Sequence, residues 1–150
     1  MLIATLSSLH AQSMPPLMRG KWVVEKNLSE RYLGCYDPAN AANLTGTEIT
    51  IGDHELLWKG RPTSNLSPQT IQISVNAFQL RYNKTPQDLG LPDAPVTITD
   101  VHPSEGIPLN AFVLRDGSLL INACNIWLEA VRPNSLPYPE TCLHSGDCGE

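Results

Sequence analysis

Apolar residues recur along this chain at every second position in short runs, and polar or turn-forming residues interrupt each run after a few positions. From Gly20 to Lys26, Trp22 and Val24 fall on one face and Lys21, Val23 and Glu25 on the other, the period of a half-buried strand. Thr47 to Ile51 alternates likewise, and a Gly52-Asp53 turn leads into Glu55 to Lys59, predicting a hairpin. Thr70 to Val75 alternates again. Phe78, Leu80 and Tyr82 continue that period after a one-residue shift at Asn76-Ala77, which admits a tight turn, a bulge or the start of a short helix. A further strand is predicted over Val96 to Val101. The clearest stretch is Asn110 to Arg115, the turn Asp116-Gly117, Ser118 to Ala123 and then Ile126 to Arg132, a meander with two antiparallel connections.

Asp37 to Leu44 reads differently, with an N-capping Asp37, Pro38 at the first helical position and alanines behind it, so one short helix is predicted before Gly46. The segments Gly60 to Pro68 and Asn83 to Pro95 read as loops. The resulting fold class is mainly β: an antiparallel up-and-down barrel, or a strongly curved sheet, of seven or eight strands with one short helix, spanning residues 20–133. Residues 134–150 read as a tail containing proline and cysteine.

Composition narrows the picture without changing it. The chain has 150 residues, enough for one core, and its 13 prolines and 10 glycines leave little room for long helices. No apolar run approaches the ~18 residues needed to span a bilayer. A net charge of -5 with scattered cations offers no basic surface, so nucleic acid is not an expected partner.

Residues 1–13 have an apolar start at Leu2, Ile3, Ala4 and Leu6 and a small-residue exit at Ala11 and Ser13, which reads as a short secretory signal segment; an edge strand or frayed helix is the alternative. The even set Cys35, Cys124, Cys142 and Cys148 also suits an oxidising compartment, so a secreted or periplasmic location is expected. Four cysteines allow three pairings. Cys142 and Cys148 flank a short polar loop and make the favoured local pair, leaving Cys35 and Cys124 to each other by elimination. Cys142, His144, Asp147 and Cys148 could in principle hold a metal, but their spacing matches none of the usual zinc patterns, and no metal or cofactor is expected.

Gly20 and Trp22 at the first strand, with Arg132 at the end of the last, resemble the lipocalin-like (calycin) barrels and short exported bacterial proteins built on that plan. In that superfamily a Gly-x-Trp opens the first strand and an arginine near the barrel's end lies across the indole. The resemblance implies a guanidinium of Arg132 on Trp22, closing one end of the barrel. It also implies the range of roles such barrels have: binding small apolar ligands, inhibiting enzymes or capping envelope partners.

Chemistry is sparse. The sequence has no nucleophile elbow, phosphate-binding glycine loop or paired metal-ligand motif, so no catalytic residue is assigned. His10, His54, His102 and His144 are well separated, and Asp53, Glu55, Asp100 and Glu105 read as a solvated rim rather than an acid/base pair. The Asn-x-Ser/Thr triplets at Asn27, Asn43, Asn65 and Asn83 read as turn chemistry. Trp22, Trp58, Phe78, Tyr82, Phe112 and Trp127 are the candidate lining of a ligand cavity, with core filling as the competing role. Two functions are carried forward: binding of a small apolar molecule, and interaction with an envelope protein through the loops at Gly60 to Pro68 and Asn83 to Pro95 or through the tail.

Overall fold

A computed structural model describes residues 12–29, 34–101 and 107–133. Nine strands form one antiparallel sheet: β1 (Gly20–Asn27), β2 (Glu48–Ile51), β3 (Leu56–Trp58), β4 (Arg61–Thr63), β5 (Gln69–Ile73), β6 (Val96–Asp100), β7 (Leu109–Arg115), β8 (Ser118–Ala123) and β9 (Ile126–Val131). Their spatial order is β4-β3-β2-β1-β9-β8-β7-β6-β5, so two meanders are joined where β1 pairs with β9.

This order dictates curvature. β4 and β5 are opposite edges of the sheet, yet only residues 64–68 connect them. A flat sheet of nine strands would hold its edges about 38 Å apart at ~4.8 Å per step. Six peptide links reach at most ~21 Å, so the sheet must roll up. It does so as a strongly curved half-barrel, since β4 and β5 do not pair with each other. Register shifts between Val24 and Lys26 in β1 and between Leu109 and Ala111 in β7 assist the bend.

The concave face buries Trp22, Val24, Ile49, Ile51, Leu56, Trp58, Phe112, Leu119, Ile121 and Leu128 in one cluster. The convex face of β6 to β9 carries a second cluster, Val96, Ile98, Ala111, Val113, Leu120 and Trp127, which lies against Phe78 and Leu89. Phe78 belongs to helix α2 (Val75–Tyr82) and Leu89 to a 3-10 turn (Pro86–Leu89). The short helix α1 (Pro38–Ala42) forms where expected, with the Asp37 side chain accepting from the Asn40 N–H at 2.8 Å.

One reading left open by the sequence is settled and another is corrected. The shift at Asn76-Ala77 is the start of a short helix, one of the three alternatives: Ser74 caps α2 by accepting from the Ala77 N–H at 3.1 Å, and Phe78 and Tyr82 share the buried face while Leu80 is 88% exposed. The segment from residue 60 to 68 is not all loop, because Lys59 and Gly60 take positive φ (50° and 75°) in a two-residue turn that folds β4 back on β3. Pro62 is tolerated there because β4 is an edge. Among the described residues the sheet therefore has nine strands, where seven or eight were expected.

Residues 12–19 strap the open side. The Met14 N–H donates to the Asp53 carbonyl (2.9 Å), and the Gln12 side-chain oxygen accepts from the Thr70 N–H (2.7 Å) on edge strand β5. Arg19 ties the strap down through the Met14 carbonyl (3.0 Å) and the Asp53 carboxylate (3.0 Å). Residues 1–11 and the tail from 134 to 150, with the signal reading and the Cys142–Cys148 pairing, lie outside the described residues.

Cys35 and Cys124 are joined by a disulfide across 89 residues of chain. A cross-link of that span restricts the unfolded chain by roughly 4 kcal/mol. The double variant Cys35→Ala/Cys124→Ala is expected to lose about that much stability, read as a lower urea midpoint with an unchanged folded-state circular dichroism spectrum.

Candidate functional site

Neighbouring strands part between β6 and β7. β6 pairs with β5 through five residues, Val96 to Asp100, but with β7 only through Thr99↔Phe112 and Asp100↔Ala111. From Val96 to Ile98 the flank towards β7 has no strand partner among the described residues, and a cavity of about 370 Å³ occupies the splay. Its walls are Val96, Thr97 and Thr99 of β6, Val113 and Leu114 of β7, and Thr70 of β5. Leu91, Pro92, Ala94 and Pro95 line the segment that enters β6, and Pro15 and Met18 come from the strap. Most of this lining is aliphatic or proline. The polar exceptions are three threonines, Thr70, Thr97 and Thr99, of which Thr70 Oγ1 and Thr99 Oγ1 pair at 2.9 Å with either able to donate. Thr97 is exposed at the mouth, whereas Thr99 is fully buried.

None of the six aromatics singled out from sequence lines this cavity. The sheet divides them: Trp22, Trp58 and Phe112 fill the concave core, while Phe78, Tyr82 and Trp127 pack together on the convex side. The second trio is in close ring contact, with centroids 4.9 Å (Phe78–Tyr82), 5.8 Å (Phe78–Trp127) and 5.0 Å (Tyr82–Trp127) apart. Of the six, Tyr82 borders open space, in a separate cleft at the end of α2. Five of the six are at most 2% exposed, which gives them packing partners rather than room.

Gly20, Trp22 and Arg132 do come together. The Arg132 guanidinium lies 3.7 Å from the centroid of the Trp22 ring and donates to the carbonyls of Lys21 (3.3 Å) and Leu17 (3.0 Å). Gly20 has φ +103°, a conformation that favours glycine, and a Cβ there would sit 2.8 Å from an Arg132 nitrogen and displace the guanidinium from its place. The Trp22 indole N–H donates to the Met18 carbonyl at 2.8 Å, connecting this stack to the strap that walls the cavity. Such a stack contributes about 1 kcal/mol.

Among the described residues the candidate acid/base groups form no cluster. Asp53 pairs with Arg19, and Asp100 with Arg81 (3.1 Å). His54 Nδ1 is 3.2 Å from the Leu66 carbonyl, and His10, His102, His144 and Glu105 lie outside the described residues. Among the described residues no three His, Cys, Asp or Glu side chains cluster as metal ligands. None of the described helices is long and apolar enough to cross a membrane.

Sequence reasoning missed the cavity because its walls come from four separated segments. One signal was present: Thr70, Thr97 and Thr99 place hydroxyls on the concave faces of β5 and β6, where aliphatic side chains would otherwise fill the interior. Scans against protein-family models, curated proteins and solved structures find no match for this chain.

Burial pushes the Tyr82 phenol up to about 12 from its ordinary 10.0, with Arg81 pulling it down and Asp100 adding to the rise. A phenol whose folded pKa is raised contributes stability that is intact below the unfolded value and is lost as pH climbs towards the folded one. Alkaline titration is expected to show a stability decline between pH 10 and about 12. Tyr82→Phe should flatten that decline, read by the urea midpoint at successive pH values.

Proposed function

We propose that this protein is an exported, lipocalin-like binding protein that holds a small apolar molecule in the cavity between β6 and β7. The observation that carries the reading is the cavity itself. At about 370 Å³ with mainly aliphatic walls, it falls within the ~300–1,000 Å³ range typical of small-molecule sites. The Thr70–Thr99 hydroxyl pair supplies one polar tether, and the partnerless flank of β6 offers backbone groups for another. These are the few placed polar contacts that orient a mostly apolar ligand. The Arg132–Trp22 stack supports the lipocalin-like part of the proposal, and the Cys35–Cys124 bridge supports the secreted or periplasmic part, because disulfides persist in oxidising compartments.

Action through protruding loops has less behind it. The loop from Asn83 to Pro95 is folded down onto the sheet, with Pro86 and Leu89 buried and the Arg115 guanidinium donating to the Leu89 carbonyl at 2.7 Å. It serves as a cavity wall.

The reading is tested with the apolar fluorophore N-phenylnaphthylamine. Saturable binding is expected, weakened about tenfold or more by Thr97→Trp, which fills the mouth from an exposed position, and unchanged by Leu80→Trp on the far side of α2. Absence of saturable binding to the parent, or equal binding by both variants, would remove the proposal.

A further inference from the structure

On the convex face, away from the cavity between β6 and β7, two adjoining clefts of about 400 Å³ and 190 Å³ share Arg81, Tyr82 and Asn125. The larger adds Asn83 and Lys84, and the smaller adds Val101, Asn110 and Asn122. The groove lies where the C-terminus of α2 meets the β8–β9 turn. Both elements turn through left-handed backbone there, Asn83 at φ 55° on one side and Cys124 and Asn125 at φ 51° and 68° on the other. The Cys35–Cys124 disulfide anchors the second turn.

The groove is unlike a solvated surface in one respect. Asn122 is 1% exposed and its Nδ2 has no hydrogen-bond partner among the described residues, although its Oδ1 accepts from Asn110 at 3.1 Å. The Tyr82 hydroxyl is likewise buried and unpartnered. A buried polar group left unsatisfied costs about 1–3 kcal/mol, so two of them beside one cleft mark a place where something else supplies the partner. What is missing is specific. The Asn122 oxygen accepts from Asn110, and one oxygen of the Asp100 carboxylate accepts from Arg81. The unmet groups are an amide N–H and a phenol O–H, both able to donate. The charged residues of the lining itself are the cations Arg81 and Lys84, with Asp100 set against the first and Asp88 within electrostatic reach of the second.

From this we propose that the groove between the end of α2 and the β8–β9 turn binds a small carboxylate, accepted by the Asn122 amide, the Tyr82 hydroxyl and the Lys84 ammonium. The site is independent of the apolar cavity, because the two share no lining residue. Tyr82 suits the role because its phenol stays protonated, and therefore a donor, throughout the neutral range.

The test is a titration of isotopically labelled full-length protein with acetate and with succinate at constant ionic strength, following the side-chain amide signals of Asn122 and Asn125. Acetamide, which has the same shape and no charge, is the control. Saturable shifts with the carboxylates and none with acetamide are expected. Lys84→Gln and Tyr82→Phe should each weaken binding about fivefold or more. Tyr82→Phe removes an unpartnered buried hydroxyl, so it should melt no lower than the parent and its effect is not an unfolding effect. Shifts that do not saturate, that acetamide reproduces, or that both variants leave intact would overturn the proposal and assign the groove to water alone. N-phenylnaphthylamine binding should be unaffected by these variants, which separates a failure here from a failure at the apolar cavity.

Discussion

The five residues between β4 and β5 are the constraint on which the architecture rests. They join the two outermost strands of a nine-stranded sheet, a connection that no flat sheet permits. Curling follows, and with it a division of the molecule into a concave interior and a convex exterior. Leu66, at the middle of the link, is buried and its N–H donates to the His54 carbonyl at 2.8 Å, so the link is also pinned to the β2–β3 turn. The two edges are thereby held near each other without being hydrogen-bonded as strands. Edges left in that state expose backbone donors and acceptors. The strap from Gln12 to Arg19 meets part of that need: it gives the Thr70 N–H a partner, contributes Met14 and Met18 to the concave core, and reaches Asp53 on the other side of the opening.

Much of this was legible in the sequence, for a definite reason. Where a strand buries one face, alternation identifies both the strand and the face, as with Trp22 and Val24 in β1 and Ile49 and Ile51 in β2. Two-residue turns such as Asp116-Gly117 then fix which strands are neighbours, and Gly20, Trp22 and Arg132 marked a contact that the structure contains. Alternation fails as a guide in β8, where all six residues from Ser118 to Ala123 are buried because α2 covers the face opposite the core. That second covering layer is also why the six aromatics could not be assigned to one interior. Strand and helix periods both accommodate Phe78 and Tyr82, and the Ser74 cap with the exposure of Leu80 between them decides for the helix. β4 was hidden for another reason: three residues including Pro62 carry no pattern of their own, and the strand exists through its pairing with β3.

The candidate cavity was illegible on different grounds. It arises from a geometric divergence between β6 and β7, and no residue type encodes a splay. The consequence can nevertheless be read from packing. On the N-terminal side of Thr99 the two strands are no longer paired, and prolines at 92 and 95 in the segment entering β6 have no N–H with which to continue a ladder. Thr97 and Thr99 on the concave side are too small to fill the gap left behind. Space therefore persists at one end of an otherwise well-filled interior.

The two-sided burial of β6 to β9 carries a further requirement, since polar side chains caught on the convex face must find partners under the covering layer. Arg81 answers Asp100, and Arg115 reaches both Glu129 (2.8 Å) and the Leu89 carbonyl, while Lys26 approaches Glu129 from the rim (3.9 Å). Each buried carboxylate on this face thus has a cation against it, which offsets the cost of desolvating either charge alone. Three groups depart from this among the described residues: the Asn122 nitrogen, whose oxygen is satisfied, the Tyr82 hydroxyl and the Trp127 indole nitrogen. In a layer where the neighbouring carboxylates are so thoroughly answered, an amide donor left open beside a cleft is a departure from the local rule. Departures of that kind, rather than the well-matched pairs around them, are where a fold leaves room for a ligand.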